Sequence, residues 1–165
     1  MFLKKGNVIP NMIFYKKKDS VLTEFNTDDY FSNKKIIVFS VPGAFTPTCS
    51  AKHLPSYTKN FEYFKKLGID NVACLSANDI HVMHAWIKLQ KALDEIDILA
   101  DPKLKFTRIL GIQNDKGEIM GLRCLRTSFL VFNRTIKQVF IEKDGEYRHS
   151  SAEHMISFLE TYKDW

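Results

Sequence analysis

Cys49 is the residue whose position predicts chemistry most directly, because it lies in a proline-rich turn, VPGAFTPTCS, over residues 41–50. The β-branched and aromatic residues 36–41 predict a buried strand before it. Apolar side chains at helical spacing predict a helix over residues 48–67 after it. The first N–H groups of a helix lack internal partners and carry partial positive charge, so a sulfur held there is stabilised as a nucleophilic thiolate. An unreactive cysteine that packs as a small hydrophobic residue is the alternative.

Three neighbours of Cys49 favour the reactive interpretation. Pro42 and Pro47 restrict the backbone of the turn, and each removes one N–H donor. Thr46, three positions before Cys49, can place a hydroxyl on the same side of the turn. The turn therefore predicts a thiolate that attacks an electrophile, with a hydroxyl close by.

The residues of this turn also resemble a known family. Residues 42–49 match the pattern P-x-x-x-T-x-x-C of the peroxiredoxins, and the longer string PGAFTPTCS is similar to the peroxiredoxin-5 subfamily, which includes the plant type II enzymes. Residues 73–79, ACLSAND, and residues 98–102, ILADP, resemble further segments of that subfamily, and the similarity runs from about residue 8 to the C-terminus. The resemblance implies a thioredoxin-like fold. It also implies an antioxidant thiol peroxidase that reduces hydrogen peroxide and organic hydroperoxides through a Cys49 sulfenic acid.

The same resemblance implies roles for the residues around the peroxide. Cys49 supplies the thiolate, and the Thr46 hydroxyl orients the two oxygens. Arg126, just before a predicted strand, matches the family's arginine and supplies positive charge where the leaving oxygen becomes anionic. Arg123 is the competing candidate for that role. Pro42 shields the sulfur from bulk water.

The step that regenerates the thiol is where the sequence departs from some members of the subfamily. Residues 148–152, before the last predicted helix, contain no resolving cysteine. We therefore expect a one-cysteine mechanism in which glutathione attacks the sulfenic acid and glutaredoxin reduces the mixed disulfide, with thioredoxin as the alternative reductant. Cys74 is an alternative resolving cysteine, although a thiol in mid-strand is expected to be buried and slow to exchange. Cys124, beside the arginines, is predicted to be either an inert neighbour or a modifiable thiol with a lowered pKa.

Histidines and a tryptophan supply further candidates. His53 follows Cys49 by one helical turn, where it could equally tune the sulfur or add polarity to the helix surface. His81 and His84 share a face of a predicted helix, but no carboxylate or cysteine cluster joins them in sequence, which favours a solvated or interface role over a metal site. No metal or cofactor is therefore expected beyond a thiol co-substrate. Trp86 is predicted to lie in the core or at an interface, and the family resemblance favours a homodimer contact.

The composition fits one domain over residues 1–165 and excludes two classes of partner. Hydrophobic residues make up 45% of the chain, which is enough for one core, and no linker or repeat is evident. The net charge of +5 is spread along the chain, and the dense basic run at residues 16–18 lacks the interleaved aromatic residues of a nucleic-acid site. The longest apolar stretch is too short to span a membrane. Neither nucleic acid nor a membrane is therefore an expected partner.

The cysteines also bear on the compartment and on the competing functions. Three cysteines without a C-x-x-C pair form no even disulfide framework, which favours an intracellular, thiol-reducing compartment. The first residues carry no apolar signal core. We expect the cytosol, or an organelle such as a mitochondrion or plastid if a targeting segment has been removed. The missing second cysteine disfavours a thioredoxin-type disulfide reductase, and a non-catalytic redox-sensing or chaperone module is the alternative class.

The elements that must position Cys49 alternate strand and helix and finish with a hairpin and a helix. This order is expected of a thioredoxin-like α/β core, a central mixed sheet with helices on both faces. Pro55 predicts a break or kink near Leu54 in the helix that carries Cys49. The other predicted elements are a hairpin within residues 12–22, helices ending at 31 and over 80–93, 105–110 and 152–162, strands 72–76, 98–100, 127–132 and 135–141, and a turn at 114–117.

Overall fold

The computed structural model describes residues 2–163 and centres on a five-stranded sheet. The strands along the chain are β1 (Ile13–Lys18), β2 (Val21–Asn26), β3 (Lys35–Ser40), β4 (Asn71–Ser76), β5 (Ile96–Ala100), β6 (Gln113–Asp115), β7 (Leu122–Cys124), β8 (Thr127–Phe132) and β9 (Thr135–Ile141). The helices are α1 (Thr27–Phe31), α2 (Leu54–Lys59), α3 (Phe61–Lys66), α4 (Ile80–Leu89), α5 (Lys105–Leu110), α6 (Gly117–Met120) and α7 (Ala152–Thr161). Among the described residues, none of these helices is long and apolar enough to cross a membrane.

The central sheet is mixed, as predicted, with strand order β5-β4-β3-β8-β9. Strands β3, β4 and β5 are parallel, whereas β8 runs antiparallel to both β3 and β9. Parallel neighbours need crossover connections, and the segments that contain α2, α3 and α4 supply them. Strands β1 and β2 form a separate antiparallel hairpin, and β6 pairs with β7.

Alternate residues of β3 face two separate cores. Ile37 and Phe39 join the first core, with side chains from α2, α3, α4 and α7. Ile36 and Val38 join the second core, with side chains from the β1–β2 hairpin, α1 and α5. Because both faces are covered, residues 36–39 of β3 are a continuous apolar run without polar alternation. Cys49 belongs to the first core.

The predicted break near Leu54 is a π-helical turn over Cys49–His53 that leads directly into α2. In this wider turn the Leu54 N–H donates to the Cys49 carbonyl. Pro55, which has no N–H to donate, follows in the first turn of α2. A π-helical turn holds one more residue per hydrogen-bonded loop than an α-helix, so the side chains from Cys49 to His53 are spaced differently around the helix axis.

Some predicted boundaries are wrong. Helix α4 ends at Leu89 and not at residue 93, because Lys91 adopts a left-handed conformation with φ of 56° that stops the helix. Strand β5 begins at Ile96, two residues earlier than predicted. The turn predicted at residues 114–117 is the end of β6 followed by the short helix α6.

Candidate active site

The nucleophile loop, residues 41–48, is attached to the end of β4. The Ala44 N–H donates to the Asn78 side-chain Oδ1 at 2.9 Å. The same oxygen accepts from the Ser76 hydroxyl at 2.8 Å. A strand end and a side chain beyond it therefore determine where the loop runs and where Cys49 enters the helix.

The Cys49 sulfur and the Arg126 guanidinium lie together at the end of this loop. The Cys49 side chain is fully buried, and Arg126 Nη1 donates to its Sγ at 3.6 Å. Arg126 lies in the short link between β7 and β8, so its backbone is held by the sheet. A guanidinium is always charged and its N–H groups can only donate, so this contact places a positive charge beside the sulfur.

Arg123, the competing arginine, has other partners. Its Nε donates to the Met120 carbonyl at 2.8 Å. A Cβ added at Gly43 would lie 3.7 Å from Arg123 Nη1, so this guanidinium borders the nucleophile loop. Of the two arginines, Arg126 is the one in contact with the Cys49 sulfur.

Thr46 and Pro42 occupy the turn before the helix. The Thr46 hydroxyl donates its proton to the Gly43 carbonyl at 2.7 Å, which leaves the hydroxyl oxygen able to accept from a reactant. The Thr46 carbonyl accepts from the Ser50 N–H at 3.0 Å and so ties this residue to the first turn of the helix. Pro42 and Arg126 share the wall of a cavity of about 40 Å³. The turn thus holds a hydroxyl of fixed direction and a proline close to the guanidinium.

His53, whose role the sequence left open, is part of the site. Its ring is fully buried, and Nε2 lies 3.0 Å from the Ser150 carbonyl, which can only accept, so Nε2 carries the proton. Nδ1 therefore accepts from Arg126 Nη1 at 3.1 Å. Burial, and then the Arg126 charge, lower the pKa of His53 to about 3, so the ring is neutral at physiological pH. His53 holds the same guanidinium nitrogen that faces Cys49.

Tyr147 is a site residue that sequence reasoning missed. Its ring centroid lies 5.8 Å from Arg126 Cζ and 5.3 Å from the centroid of the His53 ring. An aromatic face attracts a guanidinium, so Tyr147 helps to enclose Arg126. The residue lies in the irregular stretch between β9 and α7, where neither strand nor helix periodicity predicts neighbours.

Cys74 lies within β4 and is fully buried in the first core, the core that also contains Cys49. Burial raises the pKa of Cys74 well above its usual value, and the neighbouring Cys49 sulfur adds to the rise. A neutral, buried thiol exchanges slowly with other sulfurs. The predicted burial of this mid-strand thiol is confirmed.

Cys124 lies at the end of β7 and is buried in the second core. The Thr107 hydroxyl lies 3.1 Å from its sulfur. Burial raises the pKa of Cys124 to about 12, and it outweighs both this hydrogen bond and the attraction of Arg123. Of the two alternatives for Cys124, the thiol with a lowered pKa is wrong, and its burial and raised pKa agree with an inert neighbour.

Of the remaining candidates, Trp86 lies in the first core and His81 lies on the surface. Trp86 is fully buried, and its Nε1 donates to the Ser50 hydroxyl at 3.0 Å. The predicted core position of Trp86 is confirmed, and this side chain exposes no surface for the homodimer contact that the resemblance favoured. His81 is exposed, with its Nδ1 3.1 Å from the Lys17 ammonium. Within residues 2–163, no three His, Cys, Asp or Glu side chains are grouped so that they could hold a metal ion.

The fold and the site together define a class of protein. A mixed sheet covered on both faces presents a cysteine where its central strand β3 leads into a helix. A guanidinium contacts the sulfur and places a positive charge beside it. These are the features of a thiol-based oxidoreductase with a thioredoxin-like fold.

Comparison with known proteins narrows the class to a family. A family model described as Redoxin matches residues 4–156. The chain is 36% identical to Peroxiredoxin-2D of Arabidopsis thaliana, over 93% of this chain and 96% of that protein. It is also 36% identical to the hybrid peroxiredoxin hyPrx5 of Haemophilus influenzae, over 94% of this chain and 66% of that protein.

Two solved structures are also similar to this chain. The reduced Prx3 of Vibrio vulnificus in complex with hydrogen peroxide is 34% identical, with a TM-score of 0.91 and 96% of each chain covered. The antioxidant protein of Plasmodium falciparum, a 1-Cys peroxiredoxin, is 32% identical, with a TM-score of 0.90 over 96% of this chain and 99% of that one. The chain belongs to the peroxiredoxins, in the peroxiredoxin-5 subfamily, and is a thiol peroxidase.

Proposed function

We propose that this peroxidase reduces hydrogen peroxide and organic hydroperoxides at Cys49 and acts in antioxidant defence and redox homeostasis. The observation that carries the proposal is the 3.6 Å contact between Arg126 Nη1 and the Cys49 sulfur. The thiolate attacks one peroxide oxygen, an S–O bond forms as the O–O bond breaks, and the second oxygen leaves as hydroxide or alkoxide. Protonation of the leaving oxygen gives water or an alcohol, and Cys49 becomes a sulfenic acid.

Three other residues act with Cys49 in this proposal. Arg126 stabilises the thiolate and then the leaving oxygen as it becomes anionic. Thr46, whose own proton is donated to the Gly43 carbonyl, accepts from the peroxide O–H and so orients the attacked oxygen. Pro42 shields the sulfur from bulk water.

Stopped-flow measurement of peroxide consumption tests the nucleophile. We expect the fast reaction to disappear in Cys49→Ser and to persist in Cys124→Ser, whose thiol lies in the second core. Equal rates for the wild type and Cys49→Ser would refute peroxide reduction at Cys49.

We propose further that an external thiol regenerates Cys49. Residues 148–152 contain no cysteine, and both Cys74 and Cys124 are buried with raised pKa values, which supports a one-cysteine cycle. The glutathione thiolate attacks the sulfenic sulfur, the hydroxyl leaves as water after taking a proton, and a mixed disulfide forms. A glutaredoxin thiol then takes the glutathione by exchange and releases Cys49. The cycle needs no cofactor beyond these thiols.

Mass spectrometry after one equivalent of peroxide tests this cycle. We expect a Cys49 sulfenic acid, and a mixed disulfide once glutathione is added. A crosslink between Cys49 and Cys74 would instead establish a two-cysteine mechanism, with thioredoxin as the candidate reductant. Turnover assays with glutathione and glutaredoxin, beside assays with thioredoxin, identify the reductant.

We propose that the protein is a homodimer. The apolar side chains of Phe45 and Ile119 are 54% and 97% exposed. Helix α6 lies against the nucleophile loop, since a Cβ added at Gly43 would come 3.5 Å from Met120 Cε. Burial of these side chains against a second copy would stabilise the dimer. Sedimentation should show a dimer that Ile119→Asp weakens, and a monomeric wild type at micromolar concentration would refute the proposal.

The cysteines support a reducing compartment. Cys49, Cys74 and Cys124 are all free thiols, the state that intracellular thiol pools maintain. We propose the cytosol or an organelle such as a mitochondrion or plastid, which microscopy of the tagged protein distinguishes.

A further inference from the structure

Arg126 is held at both its main chain and its side chain. Its carbonyl accepts from the Glu142 N–H at 3.0 Å, just beyond the pairing of β8 with β9. Its guanidinium donates to His53 Nδ1 at 3.1 Å. The two attachments are joined through Ser150, which contacts both Glu142 and His53. The contacts form a closed circuit that begins and ends at Arg126.

The Glu142 carboxylate is the part of this circuit that holds Ser150. The side chain is 3% exposed, and its Oε1 accepts from the Arg148 N–H at 2.6 Å, the Ser150 N–H at 2.8 Å and the Ser150 hydroxyl at 3.0 Å. These bonds fold the stretch after β9 back over the end of that strand. The Ser150 carbonyl is thereby directed to His53 Nε2, from which it accepts at 3.0 Å.

The negative charge of Glu142 strengthens the hydrogen bonds that this side chain accepts. Burial alone would raise the pKa of Glu142, but the N–H groups of Ser150 and Arg148 outweigh burial and lower the pKa. The group is therefore a carboxylate at physiological pH, and charge-assisted hydrogen bonds are stronger than neutral ones. Loss of this acceptor would leave the buried Ser150 N–H unsatisfied, so the stretch would rearrange.

We propose that Glu142 is a positioning residue for the peroxidase reaction. It acts through Ser150 and His53, and its effect is to hold the Arg126 guanidinium at the Cys49 sulfur. Without it, the stretch around Ser150 shifts, so that the Ser150 carbonyl, which also accepts from the Tyr57 hydroxyl at 2.9 Å, turns away from His53. The proton of His53 is then no longer held on Nε2. The His53 Nδ1 then ceases to fix the guanidinium, whose charge is misplaced when the leaving oxygen becomes anionic. The proposal rests on the function proposed above for Arg126.

A double-mutant cycle on the second-order rate constant of Cys49 with hydrogen peroxide tests this coupling. Glu142→Ala should lower the rate constant about tenfold in the wild-type background and less than about twofold in the Arg126→Ala background. Equal losses in both backgrounds would overturn the proposal, because Glu142 would then not act through Arg126. A wild-type rate for Arg126→Ala alone would instead remove the proposed role of Arg126 itself, and the positioning role with it.

Asp101→Ala is a matched control. Asp101 is also a buried carboxylate, and it accepts from the Lys105 N–H at 2.9 Å and from the Thr107 N–H and hydroxyl at 2.8 Å each. It holds the start of α5 and lies outside the circuit that ties Arg126. Asp101→Ala should lower the urea midpoint, as Glu142→Ala does, and leave the rate constant within about twofold. An equal loss of rate in both variants would overturn the positioning role.

Glu142→Gln is a second test of the positioning role, and it replaces Glu142→Ala if that variant does not fold. The amide keeps a carbonyl oxygen at the same reach, so this variant should recover most of the wild-type rate constant. A folded Glu142→Gln variant that retains less than about one tenth of the wild-type rate constant would overturn a role based on directing the Ser150 carbonyl.

Discussion

At the scale of single residues, one guanidinium nitrogen of Arg126 serves both the Cys49 sulfur and the His53 ring. A planar guanidinium suits this double contact because its donors lie on a rigid fork, whereas a lysine ammonium is a point charge on a flexible stem. We predict that Arg126→Lys lowers the rate constant with peroxide about 10- to 100-fold although the net charge is unchanged. Stopped-flow kinetics measures this.

The control for that variant is Arg123→Lys. Arg123 donates to the Met120 carbonyl and borders the nucleophile loop, so its replacement preserves the contact at the sulfur. We expect a rate constant within about twofold of wild type. A comparable loss in both variants would show that the charge of the region, and not the contact of Arg126, controls the reaction.

His53 makes stability depend on pH, because its folded pKa of about 3 lies below the ordinary value of 6.5. Between these values the unfolded chain binds more protons than the folded one, so stability rises with pH across that range and reaches its full value above it. We predict a lower urea midpoint at about pH 5 than at about pH 7, and a smaller difference for His53→Gln. An equal difference in both proteins would contradict the assignment of a neutral buried ring.

At the scale of elements, Asn78 in the connection between β4 and α4 holds the nucleophile loop in place. Asn78→Ala removes the acceptor of the Ala44 N–H. We predict a loss of about 1–3 kcal/mol in the free energy of unfolding, because a buried donor is left unpaired. The rate constant with peroxide should fall as well, because the start of the Cys49 helix is less firmly placed. Urea denaturation and stopped-flow kinetics measure the two effects.

Asp79→Ala is the control that distinguishes the attachment of the nucleophile loop from the capping of α4. Asp79 caps α4 by accepting from the His81 and Val82 N–H groups and does not hold the loop. Its loss should cost about 1 kcal/mol of stability and leave the rate constant unchanged. If Asp79→Ala slowed the reaction as much as Asn78→Ala, the capping of α4 would account for the effect and not the attachment of the loop.

At the scale of the whole molecule, we expect the second core to contribute to stability alone and the first core to contribute to both stability and the reaction with peroxide. Phe31 lies in the second core, and we predict that Phe31→Ala lowers the free energy of unfolding by about 3–5 kcal/mol with a rate constant within about twofold of wild type. Phe39 lies in the first core, 4.3 Å from the Tyr57 ring and 5.0 Å from the His53 ring between centroids. Phe39→Ala should therefore lower both quantities. Equal losses of rate in the two variants would contradict this division.

Much of the fold was predictable because its signals are local. The strand before Cys49 and the hairpin of β8 with β9 follow from side-chain type and period-two or continuous apolar patterns. The break before Pro55 follows from the missing N–H of proline. The end of α4 was missed, because the left-handed conformation at Lys91 is not signalled by a glycine.

The sequence by itself predicted Cys49 as the nucleophile, the turn and helix that carry it and, through family resemblance, Arg126 as the arginine opposite it. Only the tertiary structure decided how that arginine is held and how strongly burial raises the pKa of Cys74 and of Cys124. His53 and Ser150 are separated by 97 positions, and spacing along a chain carries no information about a contact of that kind. The protonation states of His53, Cys74 and Cys124 depend on how much water the surrounding segments exclude, which is a property of packing and not of order along the chain.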